Sequence, residues 1–327
     1  MTEQENREVQ RQLFDIYCGI LFNSGEFAPG EHAGITYRFD CPEYKELIAK
    51  YHIDEIAGEG TAFQRAERQD FRKAERQDFR KAERQDFRKA ERQDFRKAER
   101  QDFRKAERLM HWMAPKLRHR PDYDNHVPMN SLALLDYSLD KPEKGINCRN
   151  KSVILTECCL ALGIHARRVY IMPCSPYDMD NHVVTEIFDP EMDKWIMLDP
   201  TTDGVFRDEK GVPLSLLELR ERFAAHKPAA FSGSEDGDEM NAYFAKNLFR
   251  FMVDGDNGYG LADSRILYFT PTGHSVQGNL LASMEYKLSM IPPDAMRLRK
   301  LFADKLKKAK SDPEPGTWDI SVMEARP

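Results

Sequence analysis

With 327 residues, 41% of them apolar and 32% charged, the chain has material for a large core and is too charge-rich for a bundle embedded in lipid. Its net charge of −6 is unevenly shared: five copies of QDFRKAER (69–108) carry +1 each, which leaves −11 on everything else. An acidic body of this kind argues against a protein that tracks nucleic-acid phosphates. The opening residues, MTEQENREVQ, are polar and acidic, with no basic stretch leading into an apolar one, so no secretory signal is expected. The longest nearly apolar stretch, 153–164, is short for a bilayer and contains Glu157, so no membrane partner is expected. Six scattered cysteines, with Cys158 and Cys159 adjacent and no CxxC pair, point to reduced thiols and a cytoplasmic location.

In chain order, residues 2–22 place Val9, Leu13, Ile16, Tyr17, Ile20 and Leu21 at helical spacing, and a second helix is expected near 42–51. This N-terminal segment, 1–61, has apolar faces but is too small for a core of its own. A long helix over 62–113 is expected next. Thr61 and Gln64 fit a capping box, the repeat is rich in good helix formers, and no Gly or Pro falls between Thr61 and Pro115. Arg72–Glu75 and Asp78–Lys81 are supporting i,i+3 pairs.

The period of that helix decides its use. Eight residues turn through about 80° more than two full turns. Phe71, Phe79, Phe87, Phe95 and Phe103 therefore spiral round the axis, and no continuous apolar face or coiled-coil seam results. The segment TAFQRAER before the array is a degenerate copy of the unit, and LMHWMAPKL follows it. Deleting 69–108 would leave FQRAERLMHWMAPKL, a plausible short amphipathic helix. The array reads as an expansion within an existing helix, solvated along most of its length, with the chemistry elsewhere. The inserted residues would extend a straight helix by about 60 Å. That would carry the N-terminal segment, with its apolar face at Leu13, Ile16 and Ile20, away from the body, so a domain-swapped homodimer is expected with the repeat as its spacer.

Beyond the array, 131–139 reads as a short helix. Asn147 can cap a helix over 148–162, and Gly163 marks its end. Strand-like runs follow at 166–172, 182–188 and 194–198, then a helix at 215–223 and a polar loop at 231–239. Further strands are expected at 248–253, 265–270 and 283–290, and a basic helix at 295–310. Helices followed by consecutive strands predict an α+β fold with a mainly antiparallel sheet.

Within this frame Cys148, His182 and Asp199 stand out. Cys148 falls in the first turn of its helix, where the helix dipole and free N–H groups favour a thiolate. His182 starts one strand and Asp199 ends the next, so adjacent antiparallel strands can bring an imidazole and an orienting carboxylate to one place. The stretches that hold them, GINCRNKSVILTECCLALGIHARRVY and DNHVVTEIFDPEMDKWIMLDPT, resemble the transglutaminase-like family. The likeness lies in a Cys opening a helix that ends in LALGIHARRV, then a His on one strand and WIMLDPT on the next, and it covers roughly 130–202.

The resemblance implies a papain-like core over 114–327, with a Cys-bearing helix packed on an antiparallel sheet. It implies Cys148 as nucleophile, His182 as base and Asp199 as the orienting acid. The family contains transamidases, peptidases, deamidases and inactive relatives. The expected function is therefore acyl transfer from a peptide or glutamine-type amide, with a peptide or protein substrate. The alternative is an inactive binding or scaffold protein spaced by its repeat. No residue before Cys148 declares itself as a side-chain oxyanion donor; Asn130 and His126 are the candidates, and the Cys148 backbone N–H can supply part of the hole. No acidic calcium loop is evident, and His111, His119, His126, His165 and His274 lack zinc spacing, so neither metal nor cofactor is expected. Cys158, Cys159 and Trp195 read as packing residues.

Overall fold

The computed structural model describes residues 2–32, 34–58, 101–140, 143–178, 180–233, 235–312 and 315–327. The expected repeat helix lies outside the described residues from 62 to 100, and so does the Thr61 capping box. The helices among the described residues are α1 (Glu3–Asn23), α2 (Glu43–Tyr51), α3 (Ile53–Ala57), α4 (Gln101–Met113), α5 (Ser131–Asp140), α6 (Cys148–Ala161), α7 (Leu216–Ala224), α8 (Gly237–Asn247), α9 (Val276–Met290) and α10 (Met296–Ser311). The strands are β1 (Thr36–Tyr37), β2 (Ala166–Met172), β3 (His182–Asp189), β4 (Lys194–Leu198), β5 (Phe206–Arg207), β6 (Ala230–Phe231), β7 (Arg250–Asp254), β8 (Asp256–Asn257) and β9 (Ile266–Phe269).

Strand alternation builds the centre. β4, β3, β2, β7 and β9 form one sheet in that order, antiparallel throughout. Ala166, Ile187, Ile196 and Leu198 turn to one face and join a core with α2 to α6. Val169, Ile171, Val184, Met197, Phe251 and Val253 turn to the other and join a second core with α1, α7 and α8. Because both faces are covered, β3 is buried along its whole length. The sheet is a middle layer between two helical layers, an α+β arrangement of the expected kind.

Three sequence expectations change here. The run 283–290 is the second half of α9, which Ser275 caps by accepting the Gly278 N–H at 2.8 Å. Its alternating Met284, Tyr286, Leu288 and Met290 imitate a strand, but Leu281, Met284 and Leu288 also keep helical spacing. The 231–239 stretch contains a helix start. Asp236 accepts the N–H groups of Asp238 and Glu239 and opens α8. In α1 the packed face is Phe14, Cys18 and Leu21, while Ile16 and Ile20 are exposed.

The last repeat copy, 101–108, is also core rather than solvated rod. Phe103 and Ala106 are buried with Leu109, Met110 and Met113. Its flanks are tied as well: Phe103 N–H donates to Asp189 at 3.2 Å, Arg207 reaches Glu107 at 2.7 Å, and Arg108 donates to the Ala57 carbonyl. The N-terminal segment and the helix after the array therefore meet within one chain, and α3 packs on α4.

Candidate functional site

The first turn of α6 is built by its own sequence. Asn147 Oδ1 accepts the Asn150 N–H at 3.2 Å, and Asn150 Oδ1 accepts the Asn147 N–H at 3.3 Å. This reciprocal cap leaves Cys148 as the first helical residue, at the positive end of the dipole. Arg149 is tied to Asp263, which also receives Arg168 and, at 2.7 Å, the Tyr170 hydroxyl. Further along, Ser152 Oγ donates to the Val183 carbonyl at 2.8 Å, and Thr185 Oγ1 donates to the Ser152 carbonyl at 3.2 Å. These bonds clamp α6 against β3 and bring Cys148 beside His182.

His182 bridges the other two residues. Its Nε2 lies 2.9 Å from Asp199 Oδ2, and it is also hydrogen-bonded to the Cys148 thiol. Asp199 is fully buried and further satisfied: Thr201 N–H donates to its Oδ1 at 2.9 Å and Thr202 Oγ1 to its Oδ2 at 2.7 Å. A closed turn fixes the loop, with Asp199 and Gly204 exchanging backbone bonds at 2.9 and 3.1 Å. Gly204 is required by the close approach of Phe231, whose ring would lie 2.0 Å from an added Cβ. The rings of Tyr243 and Phe244 on α8 stand 5.6 and 5.8 Å from that of His182, edge to face.

The electrostatics follow this geometry. Burial pushes the Cys148 thiol up, but the His182 hydrogen bond and charge and the Val183 N–H outweigh it, so the net direction is down. Burial pushes His182 down, but the Asp199 carboxylate, then the Cys148 thiol, carry it up to about 10. Burial pushes Asp199 up, and the His182 charge and hydrogen bonds hold it below the usual carboxylate range. Both shifts favour the thiolate–imidazolium form of the pair relative to free side chains, and such a pair can attack a carbonyl carbon and protonate a departing amine. Burial pushes Cys158 and Cys159 the other way, in keeping with packing residues.

Sequence reasoning missed four neighbours. Lys151 and Thr202 lie three residues after Cys148 and Asp199, a spacing that could have flagged them. His119 and Tyr243 come from distant segments. His119 joins Ile146 in a short bridge just ahead of α6. The residue is exposed. Crowding by the protein, then the charges of Lys151 and His182, push it down to about 4, which leaves it neutral at neutral pH. Both oxyanion candidates have partners outside the triad. Asn130 Oδ1 accepts the Ala133 N–H at 2.9 Å and the Tyr259 hydroxyl at 2.8 Å, so it caps α5. His126 pairs with Asp124 on the surface. Trp195 packs as expected, under the Arg167 guanidinium at 3.8 Å.

Residues 89–200 match the family model of the transglutaminase-like superfamily. The chain carries a transglutaminase-like domain. The match begins inside the repeat, contains Cys148 and His182, and ends one residue past Asp199. No curated protein and no solved structure matched the chain. Among the described residues of the transglutaminase-like domain and its flanks, no group of three His, Cys, Asp or Glu could hold a metal ion. No helix among them is long and apolar enough to cross a membrane.

Proposed function

We propose that the protein is a thiol acyl-transfer enzyme acting on peptide or glutamine-type amides, with Cys148 as nucleophile, His182 as acid and base, and Asp199 as the group that orients the imidazole. The observation that carries this reading is the position of His182, bonded to Asp199 through Nε2 at 2.9 Å and to the Cys148 thiol as well. The thiolate attacks the amide carbon. The C–N bond breaks as His182 gives its proton to the departing amine, and a thioester remains on Cys148. Water or a second amine, deprotonated by His182, then attacks the thioester and releases an acid or a new amide. The Cys148 N–H, at a helix end with no acceptor in its own helix, supports part of the oxyanion site. All six cysteines are unpaired, which supports a reducing, cytoplasmic setting.

Intact-mass analysis after incubation with glutaminyl peptides, with and without hydroxylamine, tests this. The expected result is an acyl adduct on Cys148 that hydroxylamine removes as a hydroxamate and that Cys148→Ala lacks. A chain that never acylates across a broad peptide set would favour the scaffold alternative.

For the repeat we propose a spacer role in a homodimer that exchanges the N-terminal segment, 1–61. The contacts that one chain makes between this segment and the body after residue 101 would then be made between chains.

A further inference from the structure

Strand alternation leaves one part of the sheet outside both cores. Ile171, Phe251, Leu267 and Phe269 turn to the second core, so Met172, Arg250, Met252, Tyr268 and Thr270 turn to the opposite face. α9 stands over that face, and none of its residues is buried. Between helix and sheet lies a cavity of about 100 Å³, lined by these side chains and by Val276, Asn279, Leu280 and Ser283 of α9.

Two polar groups of that cavity lack partners. Thr270 is 2% exposed, and its hydroxyl is buried with no hydrogen bond. The Arg250 Nε is buried with no acceptor, and among the described residues no carboxylate pairs with its guanidinium. Arg167 and Arg168 on β2 differ: they meet Glu186 at 2.7 Å and Asp254 at 2.9 Å. The one ionisable group that acts on Arg250 is the Cys174 thiol, which burial pushes up and so leaves neutral at neutral pH. No acidic side chain lines the cavity. A guanidinium cannot shed its proton to escape burial, so an anion is what its surroundings lack.

We propose that this cavity binds a small carboxylate with an apolar body, its oxygens between the Arg250 guanidinium and the Thr270 hydroxyl and its hydrocarbon against Met172, Met252 and Leu280. A guanidinium presents paired N–H donors that match a carboxylate, and the hydroxyl adds an O–H donor. The first turn of α9 forms one wall, so the positive end of its dipole acts in the same sense. The volume is below the roughly 150 Å³ that admits a benzene ring, which suits a chain of a few carbons. A short aliphatic acid and the C-terminal residue of a peptide both present this chemistry. Arg250 pairs with Met172, and Ile171 with His182, so the cavity is two strands from the imidazole, about 10 Å across the sheet. Neither Cys148, His182 nor Asp199 lines it, and the proposal stands apart from the acyl-transfer reading.

The test is NMR of the full chain carrying ¹³C-methyl methionine, in which Met172 and Met252 report from the cavity walls. The probes are pentanoate, pentanamide, and N-acetylglycylvaline as acid and as amide. Pentanoate should shift the Met172 and Met252 methyl signals saturably, and pentanamide should not. Arg250→Gln should weaken binding by about tenfold or more, and Thr270→Val by a smaller factor. Comparable binding of N-acetylglycylvaline would make a peptide C terminus the source, and binding of pentanoate alone a free acid. No saturable shift with either acid, an equal response to acid and amide, or shifts confined to other methionines would overturn the proposal. Should Arg250→Gln not fold, the comparison of acid with amide on the wild-type chain decides by itself.

Discussion

At the scale of single residues, the site is held by bonds that each leave one atom free for chemistry. Asp199 spends its oxygens on His182, Thr201 and Thr202, and His182 spends one nitrogen on Asp199, so the other edge of the ring faces sulfur. The consequence for stability has a fixed sign. His182 sits at about 10 in the folded chain against an ordinary value of 6.5, so the folded state holds its proton more tightly. Its contribution is fully present below pH ~6.5 and is lost as pH rises through about 10. Thermal melts of the wild type should therefore show a fall in Tm across that interval which His182→Gln lacks. A wild-type curve parallel to that of the variant over this range would mean that the imidazolium is not stabilised by the fold. Cys148→Ala should leave the melting temperature at neutral pH nearly unchanged, because Cys148 is half-buried and belongs to neither core.

At the scale of elements, the final repeat copy is the least expected part of the core. Phe103 is 2% exposed, so Phe103→Ala should destabilise the chain by about 3–5 kcal/mol, measured by denaturant unfolding. Deleting one whole unit should cost far less, because any copy placed before Leu109 supplies the same Phe, Ala, Glu and Arg at the same spacing. Even TAFQRAER places Phe63, Ala66, Glu67 and Arg68 where Phe103, Ala106, Glu107 and Arg108 stand once 69–108 are removed. A unit deletion as damaging as Phe103→Ala would contradict this equivalence. The same scale shows what the sequence could disclose. β2, β3, β4 and α6 were legible because their apolar runs are bounded by Asn147, Gly163 and the polar turns between strands, and because Cys148, His182 and Asp199 fall at the ends of those elements. α8 was not, since Asp236 sits in a Gly- and Ser-rich stretch that reads as loop until its capping bonds are seen. With α8 went Tyr243 and Phe244, the wall beside His182. His119 was hidden for another reason: its approach to the site depends on packing between segments far apart in the chain, which local periodicity does not carry.

At the scale of the whole molecule, one chain brings its N-terminal segment back to the body that follows the array. Phe14 meets Phe223 edge to face at 5.1 Å, the Tyr51 hydroxyl donates to Asp136 at 2.6 Å, and Arg108 holds the Ala57 carbonyl. A closed chain and an exchanged homodimer satisfy the same contacts. Light scattering coupled to size exclusion separates them: a mass twice the 38.0 kDa of one chain, with a maximum dimension that shrinks as repeat units are removed, is the outcome expected for exchange. A mass of one chain at micromolar concentration would eliminate it. Either way the two helical layers and the sheet converge on Cys148, whose thiolate, paired with the His182 imidazolium, is the centre of the account. The measurement that tests it most directly is an ultraviolet thiolate titration of the full chain, taken as the difference between wild type and Cys148→Ala, and repeated on a His182→Ala background. A Cys148 thiolate should already be present below the ordinary thiol value of about 8.5, with a return toward that value when His182 is removed. A Cys148 that titrates as an ordinary thiol in both backgrounds would contradict it.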